Sequence, residues 1–80
     1  MIKSYLLFTA PFCKFCPAVT EYLSKMSLTG TMLDATKEGI EKAVNLKVHT
    51  VPTVIFLDER GDETGRAHSI HEIKSMFFDD

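Results

Sequence analysis

The segment SYLLFTAPFCKFC, residues 4–16, joins an apolar run directly to two cysteines that stand three positions apart. The run from Ser4 to Phe8 is apolar and contains aromatic residues, a pattern typical of a mostly buried strand. The residues TAP at positions 9–11 end that strand. The C-x-x-C motif formed by Cys13 and Cys16 is therefore predicted to lie just beyond the end of a strand.

An amphipathic helix is predicted to follow the motif and to reach about residues 25–27. Apolar side chains recur there at the i, i+3, i+4 and i+7 spacing that places them on one helix face, and they are Val19, Tyr22, Leu23 and Met26. Pro17 falls in the first turn, where its missing N–H does little harm. Cys13 therefore stands at a helix N-terminus.

This position favours a reactive thiol at Cys13. Unpaired backbone N–H groups and the positive end of the helix dipole stabilise a thiolate and lower the pKa of a cysteine placed there. We expect Cys13 to be the nucleophile. Cys16 lies one turn further in and is expected to resolve a mixed disulfide formed on Cys13, so that the pair alternates between a dithiol and a redox-active disulfide.

A second strand and a second helix are predicted after the first helix. Gly30 is interpreted as a break before a short strand from Thr31 to Asp34, and Thr36 is expected to cap the helix that follows. That helix is expected to turn three apolar side chains inward, namely Ile40, Ala43 and Val44.

The C-terminal part of the chain predicts a hairpin and a last helix. Thr53 to Leu57 is β-branched and apolar, as expected of a central strand, and residues 58–62 form a turn into a brief strand near Glu63 to Gly65. Ser69 and Glu72 form a capping box for a helix that buries Ile70, Ile73 and Phe77. The order βαβαββα predicts an α/β domain with a four-stranded mixed sheet flanked by three helices, because the first two strands need a crossover while the last two pair antiparallel.

The composition is that of one globular domain spanning residues 1–80. Hydrophobic residues make up 45% of the 80 residues and charged residues 25%, and a chain this short cannot build two cores. Nine basic and eleven acidic residues give a net charge of −2, without the basic stripe that nucleic acid requires.

The sequence also limits the compartment. No apolar run approaches the ~20 residues that span a bilayer, and residues 1–12 are interpreted as a strand rather than a signal peptide. Two cysteines are too few for the multi-bridge framework of small secreted domains. We therefore expect a soluble cytoplasmic protein that does not bind membranes.

Pro52 stands immediately before the predicted central strand. A proline there removes a hydrogen bond from the ladder unless its fixed geometry is needed. Beside a C-x-x-C motif we expect the Val51–Pro52 bond to be cis, leaving a gap that a substrate backbone can use through Val51.

Four separated segments together resemble the thioredoxin and glutaredoxin superfamily over residues 4–77, and they are CKFC (13–16), LDAT (33–36), VPT (51–53) and AHS (67–69). The resemblance implies the thioredoxin fold in a minimal form. In fold and length the chain resembles the short thioredoxin- or glutaredoxin-like proteins of phages and archaea, which lack thioredoxin's N-terminal strand and helix. The resemblance also implies that Val51–Pro52 faces the dithiol and that the Val51 backbone pairs with a bound substrate strand.

Residues around the dithiol are expected to bind the substrate. Phe12, Phe15 and Val51 would form an exposed apolar rim. Lys14 would add positive potential near the thiols, and Pro52 would shape the groove. By the resemblance, the partners are proteins that carry disulfides, ribonucleotide reductase among them, and the electron source is a thioredoxin-reductase-like flavoprotein. No cofactor and no metal are expected, and the chain is expected to be a monomer.

The chain departs from both parent families. Thioredoxins typically have Trp before Cys-Gly-Pro-Cys and a buried acid in the preceding strand, whereas here Phe12 precedes the motif and Leu7 takes the place of the acid. Glutaredoxins typically hold glutathione with a Gly-Gly turn and an acidic pair, whereas residues 65–69 read GRAHS. The tail is more similar to thioredoxin, but Arg66 offers a charge for a glutathione carboxylate. A glutathione-coupled glutaredoxin is therefore the alternative function.

Two interpretations from another class stay open on the residues alone. The cysteines are inert thiols on a binding module in the first, and half of a zinc site in the second, with His68 and His71 as the other half. Structural zinc sites usually join their two halves through about a dozen residues, whereas here most of the fold intervenes. The two histidines are more simply polar residues near the last helix N-cap, and His49 is a loop residue.

Overall fold

The computed structural model describes residues 1–77, and residues 78–80 of the predicted domain lie outside the described part. The elements follow the predicted order, and they are β1 (Ser4–Thr9), α1 (Cys16–Ser24), β2 (Thr29–Asp34), α2 (Ile40–Asn45), β3 (Thr53–Leu57), β4 (Glu63–Ala67) and α3 (Ile70–Phe77). Within residues 1–77, none of the helices has the length and apolar character that crossing a membrane requires.

The four strands form one mixed sheet in the order β2-β1-β3-β4. Strands β1 and β2 are parallel, whereas β3 is antiparallel to both β1 and β4. Phe8 pairs with Thr53, and Val54 pairs with Ala67. This register brings the end of β1, the start of β3 and the end of β4 to the same edge of the sheet.

Helices cover both faces of the sheet, because successive strand side chains point to opposite faces. On one face Leu7, Val54 and Phe56 pack with buried residues of α1 and α3, and on the other Phe8 and Ile55 pack with α2. Fully burying a Leu, Ile or Phe side chain contributes about 1.5–3 kcal/mol. These central strands therefore form a rigid base beneath the loops at the sheet edge.

The predicted cap of α2 is wrong, and of the three side chains expected to turn inward Ala43 alone is buried. Thr36 does not cap the helix, because its N–H and hydroxyl both donate to Asp34 Oδ1, at 2.8 and 2.6 Å. This local turn competes with the helix, so that α2 starts only at Ile40 and has no side-chain cap. The short helix meets the sheet through Ala43, and Ile40 and Val44 are 50% and 70% exposed.

The sequence predicted that Gly30 is a break before β2. In the structure Gly30 is instead the second residue of that strand. It pairs with Tyr5 of β1, and a β-carbon at position 30 would overlap the Tyr5 ring. The glycine is thus explained by close packing rather than by a turn.

The predicted capping box of α3 forms with one change. The Glu72 N–H donates to Ser69 Oγ at 3.1 Å, as expected, but the Glu72 carboxylate accepts from the N–H of His68 at 2.6 Å rather than from Ser69. Of the predicted apolar face, Ile73 is fully buried, and Ile70 and Phe77 are half-buried against the same cluster.

Candidate active site

Cys13 and Cys16 form a disulfide at the start of α1, with their Cα atoms 5.4 Å apart. The turn between β1 and the motif is closed by the Cys13 N–H, which donates to the carbonyl of Ala10 at 3.1 Å. Cys16 is the first residue of α1 and is only 5% exposed, whereas Cys13 is half-buried. The more exposed cysteine is therefore the one that was predicted to be the nucleophile.

Among residues 1–77, no side chain caps the N-terminus of α1. Phe15 occupies the N-cap position and has no side-chain oxygen, and the first turn contains no acidic residue. The unpaired N–H groups and the helix dipole therefore face the motif without a competing carboxylate from that turn. This is the environment in which a helix N-terminus favours a thiolate over a thiol.

The five predicted substrate-binding residues lie at the same edge of the sheet but do not form one continuous rim. Phe12 and Phe15 are 76% and 71% exposed, and Lys14 is also exposed. Phe12 and the half-buried Val51 line one open cavity of about 360 Å³. Phe15 lines a different one of about 450 Å³. Lys14 lines neither of these two cavities.

Pro52 is buried, and the Val51–Pro52 peptide bond is cis, the isomer that the sequence led us to expect. The bond directly precedes Thr53, whose partner on β1 is Phe8. Within residues 1–77, the backbone N–H and C=O of Val51 have no backbone partner. Both groups are thus free to pair with another extended chain.

Arg66 holds the segment that leads to Val51. Its guanidinium donates to the Glu63 carboxylate at 2.7 and 2.9 Å and to the carbonyl of Leu46 at 3.0 Å, just after α2. The bond with Arg66 lowers the pKa of Glu63 and raises that of Arg66. The Arg66 guanidinium, which the sequence suggested for a glutathione carboxylate, is therefore already paired with groups of the protein itself.

Within residues 1–77, the core supplies no carboxylate beneath the disulfide. Leu7 is 1% exposed and packs in the cluster beneath α1. Among the described residues, Thr53 is the only buried residue with a polar side chain. The apolar core of the described residues therefore contains no carboxylate that could accept a proton from Cys16.

Sequence reasoning missed the contact between Thr53 and His68, whose Oγ1 and Nδ1 atoms are 3.1 Å apart. His68 also lines the cavity that contains Phe15. The two partners are 15 positions apart, and no local spacing rule links them; only the predicted β3–β4 hairpin pointed to their proximity.

The zinc interpretation finds no support in the geometry. Residues 1–77 contain no group of three or more His, Cys, Asp or Glu side chains placed to hold a metal ion. His68 and His71 lie at the start of α3, as predicted, and His49 lies in the loop before Pro52.

Comparisons with known proteins agree with the topology. No family model matched the chain, and no curated protein matched it. Among solved structures, thioredoxin O2 from Arabidopsis thaliana in the oxidised state aligns with a TM-score of 0.78 and 20% identity, covering 96% of this chain and 71% of that chain. Reduced Schistosoma mansoni thioredoxin pre-protein aligns with a TM-score of 0.73 and 23% identity, covering 95% and 78%.

A third similar structure is DsbH oxidoreductase, with a TM-score of 0.66, 17% identity and coverage of 92% of this chain and 72% of that chain. All three similarities extend over nearly the whole of the chain. Together with the mixed sheet and its three covering helices, they establish that this chain has the thioredoxin fold.

Proposed function

We propose that this chain is a thiol–disulfide oxidoreductase that reduces disulfides in other proteins through Cys13 and Cys16. The observation that carries the proposal is the asymmetry of the pair, since Cys13 is half-buried at an uncapped helix N-terminus while Cys16 is buried behind it. An accessible thiolate can attack a large substrate. A buried second thiol resolves the intermediate without competing for the substrate.

The reaction has two exchange steps. The Cys13 thiolate attacks one sulfur of the substrate disulfide, forms a mixed disulfide and releases the other sulfur as a thiolate. Cys16 then loses its proton and attacks Cys13, so that the Cys13–Cys16 bond forms and the second substrate sulfur leaves as a thiolate. Two electrons pass to the substrate, and its two thiolates take up protons.

The substrate is proposed to bind as an extended strand along Val51. The free N–H and C=O of Val51 supply the two bonds of such a strand. Phe12 lies on the same side and shares an open cavity with Val51. An exposed aromatic ring can pack against an apolar side chain next to the disulfide of the substrate.

A thioredoxin-reductase-like flavoprotein is proposed as the electron source, and ribonucleotide reductase as one substrate. The engagement of Arg66 by Glu63 and by the Leu46 carbonyl supports this choice over glutathione. A reducing compartment such as the cytoplasm suits this activity, because the pair must be returned to the dithiol after each turnover.

Single-cysteine variants test the assignment of roles. Cys16→Ser should accumulate a stable mixed disulfide on Cys13 with a protein substrate, and Cys13→Ser should abolish the reduction of insulin disulfides. Mass spectrometry of the trapped species identifies the attacking cysteine. Substrate trapped on Cys16 in Cys13→Ser would reverse the roles, and two inactive thiols would refute the function.

Turnover with each reducing system tests the electron source. Insulin reduction should be faster with a thioredoxin reductase and NADPH than with glutathione, glutathione reductase and NADPH. A clear preference for glutathione would favour the glutaredoxin alternative.

A further inference from the structure

Thr53 holds the peptide group that joins Thr50 to Val51. Its hydroxyl donates to the carbonyl of Thr50 at 2.6 Å, and Thr53 itself is fully buried. A hydrogen bond with a buried donor is partly shielded from water, and the lower local dielectric strengthens it. The carbonyl of Thr50 is therefore fixed in direction, although Thr50 lies at the surface.

His68 fixes the direction in which that hydroxyl points. Its Nδ1 atom lies 3.1 Å from Thr53 Oγ1. A hydroxyl has a single hydrogen, and the carbonyl of Thr50 takes it. Thr53 Oγ1 must therefore accept from His68, so that Nδ1 carries a proton in both the neutral and the charged ring. The bond from Thr53 to Thr50 consequently does not depend on the ionisation of the ring.

The fixed carbonyl sets the direction of the Val51 N–H. Across the described residues a single peptide bond is cis, the one between Val51 and Pro52, so that the preceding Thr50–Val51 peptide is trans. In a planar trans peptide the C=O and N–H groups point in opposite directions. Because the Thr50 carbonyl points toward Thr53 Oγ1, the Val51 N–H points away from it.

This orientation leaves the Val51 N–H available to another molecule. Thr53 pairs with Phe8, which packs in the apolar cluster on the α2 face of the sheet. Directly opposite residues of paired strands point to the same face, so that Thr53 holds the Thr50 carbonyl toward that cluster. The Val51 N–H, which has no backbone partner within residues 1–77, points away from this part of the core.

The loop that carries Val51 is attached to the end of β4 at two points. Arg66 donates to the carbonyl of Leu46 at 3.0 Å, and His68, which directly follows β4, bonds to Thr53. The N–H of Val51 lies in the chain between these two attachments. A loop that is held on both sides loses little conformational entropy when it binds a partner.

We propose that Thr53 is a positioning residue that presents the Val51 N–H to the backbone of a protein substrate, with His68 fixing its hydroxyl; the inference rests on the proposed function. A donor that is oriented before binding removes part of the ordering cost of association. A small-molecule disulfide has no peptide carbonyl to accept this bond. The arrangement therefore selects disulfides carried by extended peptide segments, and Thr53 takes no part in the thiol exchange itself.

Single-turnover reduction of a fluorescence-quenched peptide disulfide measures binding and exchange separately. With the reduced protein in excess, the half-saturating protein concentration reports substrate binding, and the maximal rate reports thiol exchange. Thr53→Val keeps the shape of the side chain but removes the hydroxyl. We expect its half-saturating concentration to rise about five-fold, the size expected for one hydrogen bond. The maximal rate and the reduction of a small aromatic disulfide should stay within two-fold.

Thr53→Ser keeps the hydroxyl and should return the half-saturating concentration to within two-fold of that of the unchanged protein. Thr64→Val is the matched control, because it also removes a hydroxyl that donates to a backbone carbonyl, that of Phe56 at 3.3 Å. It should change neither quantity by more than two-fold. Equal half-saturating concentrations in Thr53→Val and the unchanged protein would overturn the inference, and so would an equal loss with the small disulfide or in Thr64→Val.

Nitrogen NMR of the unchanged protein tests the network without a variant. The neutral His68 ring should carry its proton on Nδ1. A neutral ring protonated on Nε2 would accept from Thr53, leave the Thr50 carbonyl without its donor and overturn the inference. Should Thr53→Val not fold, as judged by circular dichroism, Thr53→Ala takes its place with the same expectations. An unchanged protein that reduces neither disulfide would instead refute the proposed function.

Discussion

The ring of Tyr5 occupies the space in which a side chain at Gly30, its partner on the neighbouring parallel strand, would begin. Because Gly30 has no side chain, the Tyr5 ring of β1 can lie against the backbone of β2. The half-buried Tyr5 also packs against the apolar cluster that supports α1. The fit of one residue to the other explains why β2 tolerates a glycine.

Gly30→Ala should destabilise the protein by about 1–3 kcal/mol, the usual cost of overpacking a fitted site. The added methyl group forces the Tyr5 ring out of its place. Denaturant unfolding measures the loss, and Thr31→Ala on the same exposed strand is the control. In a Tyr5→Ala background Gly30→Ala should be neutral or stabilising, and an unchanged penalty there would show that the ring is not the cause.

Phe12→Ala and Phe15→Ala should each raise the KM for a protein disulfide about five-fold, since truncating an interface aromatic costs about 1 kcal/mol or more. Both rings are largely exposed, and each belongs to a residue directly next to one of the cysteines in the chain. Reduction of a small aromatic disulfide should change by less than two-fold, because such a substrate does not reach beyond the thiols. Val44→Ala, which removes an exposed apolar side chain from α2, is the control. Equal effects on both substrates would argue against a binding role.

Arg66→Met should lower the free energy of unfolding by about 1–2 kcal/mol, because it leaves the Leu46 carbonyl without its charged donor. Met keeps the apolar stem of the side chain. The variant should also raise KM for protein disulfides, since the segment before Val51 loses its tie to β4. Arg60→Met, an arginine of the β3–β4 turn, is the control and should have little effect on either quantity.

Acid should weaken the β3–β4 hairpin through Asp58. The backbone N–H groups of Asp62 and Arg60 donate to its carboxylate at 3.0 and 2.8 Å, and these bonds lower its pKa in the folded protein. A group with a lowered folded pKa stabilises the fold above its unfolded pKa, and that contribution is lost as pH falls through the folded value.

Asp58→Asn should therefore flatten the decline in the free energy of unfolding below about pH 4, measured by urea titration at a series of pH values. Glu59→Gln in the same turn is the matched control, because it removes a charge without removing those bonds. A pH profile of Asp58→Asn that parallels that of the unchanged protein would contradict the assignment.

The order of elements could be predicted from the sequence because each depends on local spacing. The apolar run before Cys13 gave a strand, and the helical spacing from Val19 gave α1. The errors arose where a single side-chain hydrogen bond decided the local structure. Thr36, for example, was predicted to cap α2 but donates to Asp34 in a turn instead. A six-residue helix packed through Ala43 likewise cannot be oriented by periodicity alone.

The chemistry at the site was only partly predictable. Cys13 and Cys16 are three positions apart, and their spacing identified them. The bonds from Arg66 to Leu46 and from His68 to Thr53 join residues 20 and 15 positions apart. Contacts of that range depend on the sheet register, which places the end of β4 beside the start of β3.

Phe12 and Phe15 keep most of their ring surface in water. Hydrated apolar surface has a large heat capacity, which falls when a partner covers it. Docking of a protein substrate on these rings should therefore have a negative heat-capacity change, in proportion to the ring area covered. The enthalpy of docking then becomes more favourable as the temperature rises, so that calorimetry at several temperatures reads out how far a given partner covers the two rings.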